Sequence, residues 1–391
     1  MRSFGNLKDK RMVLKRLYLV LFLLTTLITV SCKTRTKADE TKYITQKVAD
    51  WQIKTFAEMG KYRALPAVEH RKPWHHRIAY HDLEWHCGAL YAGMYQFSTI
   101  TDNPKYINWL KDIGDKNNWR LFKRVYHADD QAVGQFYLNL YDNYRDEKMI
   151  KPTQMRFDSI MQSDRSNKSL WYWCDALFMA PPVWVRLSKE TKDLKYLDFM
   201  DTQYHMAYDK LWDKEEHLFF RDKSYFKARE KNGKKIFWSR GNGWVFGGLA
   251  LMIPDFPKDW KHKAFYISVF KDIAKTLKKE QREDGTWSAS ILANEKAYPN
   301  KETSGTAFFT FGLAWGINNG ILDAEIYEPV MMKAWDALVL CVTKEGMLGY
   351  VQPVGAAPGE SFKDYTEVYG SGAFLAAGTE MYKFFKKRKA L

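Results

Sequence analysis

The chain has 391 residues, of which 46% are hydrophobic and 16% aromatic, enough to build a sizeable core in one large domain or two ordinary ones. The formal net charge is +15, with the basic residues scattered, which argues against a nucleic-acid groove. Only four cysteines occur, at spacings that match neither a disulfide framework nor a zinc site.

The N-terminus reads as an export signal. Arg11, Lys15 and Arg16 precede the apolar run Leu17 to Leu24, and Thr29-Val30-Ser31 leads to Cys32. The run is too short for a membrane span. Val30-Ser31-Cys32, followed by a polar stretch, matches a bacterial lipoprotein processing site, with a plain secretory signal as the alternative. Residues 1–31 are therefore read as signal, Cys32 as the lipidated first residue and 32–41 as a tether. This puts the protein in the bacterial cell envelope, on the periplasmic or cell-surface side, touching membrane only through its lipid. Six basic residues and one acidic residue precede Cys32, so the remainder keeps a charge of +10. In an exported chain that charge suits acidic or sulfated polysaccharide better than nucleic acid. Cys87, Cys174 and Cys341 are left over, an odd number that points to buried free thiols.

From Lys42 to Gly60, Ile44, Val48, Trp51, Ile53 and Phe56 recur at helical spacing. After a Pro-, His- and Arg-rich connection over 61–81, a second helix is expected over 82–95, and Pro104 opens the next. Further helices are expected over 128–144, from 148, over 175–188, up to about 208, and over 243–251, 260–279, 303–318, 326–342 and 370–385. Three turns, near Asp102-Tyr106, Asp193-Tyr196 and Asp323-Tyr327, share the order turn, acidic residue, Tyr, helix, a weak helical-hairpin repeat. Strand signals are confined to 218–221, 235–238 and 349–352, short enough for loop ribbons. Recurring helix pairs without a parallel-sheet pattern predict an all-α toroid of helical hairpins, with 42–391 as a single domain. The basic cluster from Lys383 to Lys389 reads as a solvated helix end.

Three stretches carry chemistry. Trp238-Ser239-Arg240-Gly241-Asn242-Gly243-Trp244 combines a guanidinium fork, an amide, two flexible glycines and two flat aromatic faces. It suits an acidic sugar at the mouth of a helical scaffold; the plainer reading is a loop closing a core helix, with Arg240 satisfying carbonyls. In Leu170 to Pro182 one carboxylate, Asp175, stands among aromatics, where desolvation would raise its pKa. It is read as a general acid/base, with helix capping as the alternative. In His127-Ala128-Asp129-Asp130, adjacent carboxylates cannot both face one site, so one is read as capping and the other as pointing inward, with a purely structural pair as the alternative. His81-Asp82, Glu84-Trp85-His86 and Trp74-His75-His76 form polar-aromatic knots read as hydrogen-bonding or sugar-contacting groups. No metal-binding spacing, nucleophile elbow or phosphate loop is seen.

Together, Asp175 in W-x-x-D-x-L-x-M-x-x-P, Asp-Asp-x-x-x-Gly at 129–134 and R-G-N-G-W at 240–244 resemble glycoside hydrolase family 105, unsaturated glucuronyl or rhamnogalacturonyl hydrolases related to family 88. The resemblance runs from about Lys42 to the C-terminus. It implies an (α/α)6 barrel that works without metal or other cofactor on oligosaccharides left by a polysaccharide lyase, hydrating the double bond of a terminal 4,5-unsaturated uronic acid. It implies Asp175 as acid/base and Asp130, or its neighbour Asp129, as the second carboxylate. Arg240 and Trp244 would hold the uronate, with Asn242 and Trp85 in the same site. One proton-transferring carboxylate suffices for an enol ether, so the two-carboxylate spacing of ordinary glycosidases is not required.

The chain departs from the family pattern where some members carry histidines, reading His217-Leu218-Phe219-Phe220-Arg221 and Asp164-Arg165 instead. Arg165 and Arg221 would suit a sulfated neighbour, so the chain most resembles members acting on ulvan fragments, where uronate adjoins 3-sulfated rhamnose. Competing readings are a pectin-type rhamnogalacturonyl hydrolase, an inverting glycosidase or epimerase on the same toroid, and a non-catalytic glycan-binding surface lipoprotein.

Overall fold

The computed structural model describes residues 35–63 and 79–389. The signal, Cys32 and the Trp74-His75-His76 knot lie outside the described residues. Thirteen α-helices follow in order among those described: α1 Lys37–Thr55, α2 Trp85–Ser98, α3 Lys105–Lys116, α4 Gly134–Tyr144, α5 Lys151–Met161, α6 Ala176–Met179, α7 Pro181–Thr191, α8 Lys195–Leu211, α9 Ser239–Met252, α10 Lys263–Lys279, α11 Thr303–Asn318, α12 Ala324–Val339 and α13 Val368–Lys389. The first helix starts five residues before Lys42, inside the stretch read as a tether. There Thr36 and Asp39 form a reciprocal capping box.

Alternate helices form two rings. The inner ring, α2, α4, the α6–α7 pair, α9, α11 and α13, closes on itself because each member packs against the next and α13 returns to α2. The outer ring is α1, α3, α5, α8, α10 and α12. This is the toroid of hairpins expected from the helix pairs, and the (α/α)6 barrel that the family resemblance implies. Inner helices are buried almost all round: every residue of α11 from Thr303 to Gly316 is buried. Outer helices are amphipathic, as in α10, where Tyr266, Val269, Phe270, Ile273, Ala274 and Leu277 form the inward stripe. Inner helices touch by backbone where glycines allow it. A Cβ on Gly93 would lie 1.9 Å from the Gly372 carbonyl oxygen, and one on Gly372 2.3 Å from that of Ala89, so α2 and α13 cross only because both residues are Gly. The one inner member split in two, α6–α7, breaks at Ala180 because Pro181 cannot donate to the preceding turn.

The weak turn repeat has a structural meaning. Tyr106 donates its hydroxyl to Asp50 (2.8 Å) and Tyr196 to Asp158 (2.8 Å), each on the preceding outer helix. Tyr266 makes the same contact to Asp201 (2.8 Å), tying α10 to α8. The ribbons are smaller than expected. β1 (Trp212–Asp213) pairs antiparallel with β2 (Leu218–Phe219), while 235–238 contributes only single bridges and 349–352 no strand. Cys87, Cys174 and Cys341 are free and buried. Among the described residues no helix is long and apolar enough to cross a membrane.

Candidate active site

The N-terminal ends of the inner helices meet at one mouth of the barrel. Trp85 opens α2, Asp129 and Asp130 lie just before α4, Asp175 precedes α6, Arg240 sits in the first turn of α9 and Tyr369 in that of α13. Their side chains touch: the Trp85 ring lies 5.4 Å from Tyr369 and 5.9 Å from Trp244. Converging N-termini add partial positive charge, a field that favours an anionic ligand, although at α11 Glu302 already takes the Ser304 and Gly305 N–H groups.

Asp175 occupies the N-cap position of α6, yet its carboxylate accepts no capping hydrogen bond. It is turned to Arg221, whose Nε donates to Oδ2 at 3.3 Å. The two are brought side by side by the backbone, because the Cys174 N–H donates to the Arg221 carbonyl at 2.8 Å. Burial raises the Asp175 pKa, with Arg221 and Arg240 opposing. The capping alternative therefore fails, and the carboxylate is left for other work.

The adjacent carboxylates separate as the spacing required. They lie on a 3-10 turn, Ala128–Gln131. Asp130 is 1% exposed and locked by Arg124, whose backbone N–H donates at 2.7 Å and whose Nε and Nη2 donate at 3.0 and 2.5 Å. It fixes the 122–124 loop and also lines the cavity that Trp85 enters. Asp129 lines the cleft instead, within electrostatic reach of Asp175. Burial first, and the Asp175 charge second, push its pKa up to about 7. Beside it His127 accepts from the Asp129 N–H through Nδ1 at 3.3 Å. Burial and Arg124 lower the His127 pKa to about 4, so this imidazole is neutral at pH 7.

The R-G-N-G-W stretch is helix, not loop, and the Arg240 Nη atoms and the Asn242 amide are spent inside the protein. Arg240 is 0% exposed, sandwiched between the Trp238 and Tyr369 rings, and donates to the carbonyls of Gln352 (2.8 Å) and Pro353 (3.0 Å). The plainer reading of Arg240 holds: it pins the 352–353 segment and sends its charge toward Asp175. Asn242 is a clamp, accepting from the Phe219 N–H at 2.7 Å and donating to the Phe219 and Trp238 carbonyls at 3.0 and 3.2 Å. Trp244 is 1% exposed, packed among Trp85, Phe178 and Phe308. These three support the site from behind. Trp85 itself is half-buried and lines a cavity with Tyr80, Glu84 and Arg124.

The open cleft lies along the 124–130 loop. A cavity of about 540 Å³ is lined by His127, Asp129, Trp173, Lys210, Arg221 and Lys223. It shares His127, Ser169, Tyr172 and Trp173 with a neighbouring cavity of about 660 Å³ that also takes in Arg124, Arg165 and Lys168. Tyr172 stands 53% exposed, an aromatic face on open solvent. Arg165 caps the Tyr126 ring at 4.9 Å. Of the residues singled out in the sequence, Asp175, Asp129 and Arg221 are brought together with Arg165 at the rim. Lys168, Lys210 and Tyr172 were missed; Tyr172 lay within the stretch read around Asp175, whereas isolated lysines carry no local signal.

The glycosyl hydrolase family 88 model matches residues 44–385. Two similar proteins are both named unsaturated 3S-rhamnoglycuronyl hydrolase. That of Formosa agariphila is 40% identical over 85% of this chain and 94% of its own. That of an Alteromonas species is 36% identical over 87% and 85%. A solved structure named polysaccharide lyase matches with a TM-score of 0.79 at 31% identity, over 91% of this chain and 99% of that one.

Proposed function

The chain belongs to glycosyl hydrolase family 88, and on that footing we propose that it removes a 4,5-unsaturated uronic acid from the non-reducing end of lyase-generated oligosaccharides. The preferred substrate is an ulvan fragment, the uronate being linked to 3-sulfated rhamnose. The observation that carries the reading is the Asp175–Arg221 ion pair, with Arg221 and Asp129 sharing the wall of a cleft rimmed by cations and aromatics.

The chemistry follows from the two carboxylates. Asp129, its pKa raised to about 7, keeps a proton available near neutral pH, and burial raises the Asp175 pKa as well, so the two can share it. Asp175 gives this proton to C4 of the enol ether, and positive charge develops at C5 and the ring oxygen. The Asp129–Asp175 pair stabilises that charge, water adds at C5, and the proton it sheds returns to the pair. The resulting hemiketal opens and releases the next sugar. Arg221 holds Asp175 in place and offers its remaining face to the uronate. Arg165, Lys168, Lys210 and Lys223 suit a sulfate on the following residue, and Tyr172 gives a stacking face.

Ultraviolet absorbance of the unsaturated uronate tests this directly, on lyase-digested ulvan before and after desulfation and on lyase-digested pectin. The expected result is loss of absorbance, fastest with sulfated fragments. Equal rates with and without sulfate would remove the sulfate preference, and loss only with pectin fragments would replace the substrate. A rise in absorbance on intact polysaccharide would mark a lyase, which makes the double bond rather than consuming it.

The envelope location is proposed from the sequence alone, through a lipid on Cys32. Labelled palmitate incorporated by the parent and absent from Cys32→Ser is the expected outcome; equal labelling would refute it.

A further inference from the structure

On the outer ring, away from the cleft, three side chains of metal-ligating type converge. Asp201 and His205 stand at i and i+4 on α8, hence on one face, and His262 comes from the turn immediately before α10. Their ligand atoms lie within 4.8 Å of one another. His262 Nδ1 is 2.6 Å from Asp201 Oδ2, and His205 Nε2 is 3.6 Å from Asp201 Oδ1. We propose that Asp201, His205 and His262 form a binding site for a zinc-class divalent cation that staples α8 to α10.

The supports around the three groups are those of a built site. Asp201 is 8% exposed, and its Oδ1 accepts the Tyr266 hydroxyl at 2.8 Å, which orients the carboxylate as an outer partner of a metal ligand would. The His205 ring lies on Phe265 with centroids 4.3 Å apart and 29° between planes. The His262 ring rests against Trp260 at 5.3 Å. Both imidazoles remain 38% exposed, so an ion has a way in and water can complete its shell. Two imidazoles and one carboxylate are a donor set for zinc, nickel or copper rather than for calcium or magnesium. A tetrahedral zinc ion separates its ligand atoms by about 3.3 Å. Side-chain adjustments of about an ångström bring these three to that spacing. The sequence reading missed the site because Asp-x-x-x-His is common on helices, and His262 lies 57 residues beyond His205.

Binding to the folded chain alone would stabilise it by mass action. The test uses the full-length chain, freed of metal by a chelator, titrated with zinc in a calorimeter and then melted with and without the ion. The expected results are one zinc per chain and a melting temperature raised by several degrees. His205→Ala and His262→Ala should each weaken binding at least tenfold, while His217→Ala binds as the parent does. Because neither ring lines the cleft, rates on unsaturated oligosaccharide stay unchanged in both variants, which also reports that they fold. Absence of saturable binding in the parent overturns the proposal. So does parent-like binding in the double variant, which would leave an adventitious ion only.

Discussion

Asp129 is held protonated at pH values where a solvated aspartate is charged, its pKa raised from 3.8 to about 7 by burial and by Asp175. Two measurements follow from the sign of that shift. Activity needs a proton on the pair, so kcat/KM should fall as pH rises through about 7. Asp175→Asn should lower kcat by roughly 10²–10⁴ while substrate still binds, since the variant keeps the shape and loses the proton. A profile flat to pH 9, or a parent-like rate in Asp175→Asn, would contradict the mechanism. Stability runs the other way. A carboxyl whose folded pKa is raised contributes stability that is complete below its unfolded value and lost as pH rises through the folded one. Asp129→Asn removes that loss. Its melting temperature should exceed the parent's at pH 8 by the equivalent of roughly 2–4 kcal/mol and match it near pH 4. Scanning calorimetry at both values checks this, and equal melting at pH 8 would show that Asp129 is solvated.

At the scale of elements, Asn242 shows how far a sequence motif can be read. Its side chain substitutes for a strand, pairing both backbone groups of Phe219 and so seating the β1–β2 ribbon against α9. Asn242→Ala leaves the Phe219 N–H and C=O buried and unpaired, which should cost about 2–4 kcal/mol and lower the melting temperature. Since Arg221 follows two residues after Phe219, turnover should drop as well. Unchanged stability would mean the ribbon is held elsewhere. The helices, their order and the loneliness of Asp175 among aromatics were legible because apolar period and composition are local. Which carbonyls Arg240 satisfies was not, because they lie 112 and 113 residues away at Gln352 and Pro353. Likewise the sequence spacing said that Asp129 and Asp130 must diverge, but only the fold of the 122–124 loop onto Asp130 decided which one Arg124 would take.

Over the whole molecule, charge and helix direction act together. The chain carries a net charge of +15, and the inner helices turn their N-terminal ends to the mouth where Arg124, Arg165, Lys168, Lys210 and Lys223 rim the cleft. An acidic substrate is therefore drawn in by a field that salt screens over about 8–10 Å at physiological ionic strength, whereas proton transfer from the buried Asp175 is screened far less. Raising salt from 20 to 500 mM should thus raise KM severalfold and leave kcat nearly constant. The double variant Lys168→Glu with Lys210→Glu should show a raised KM already at low salt and a flatter response, because the attraction has been cancelled at the rim. Neither lysine is shown to touch the catalytic pair, so a comparable kcat is expected. If kcat falls with salt as steeply as kcat/KM, the field acts on the chemical step and the division between a steering rim and a sheltered acid pair is wrong.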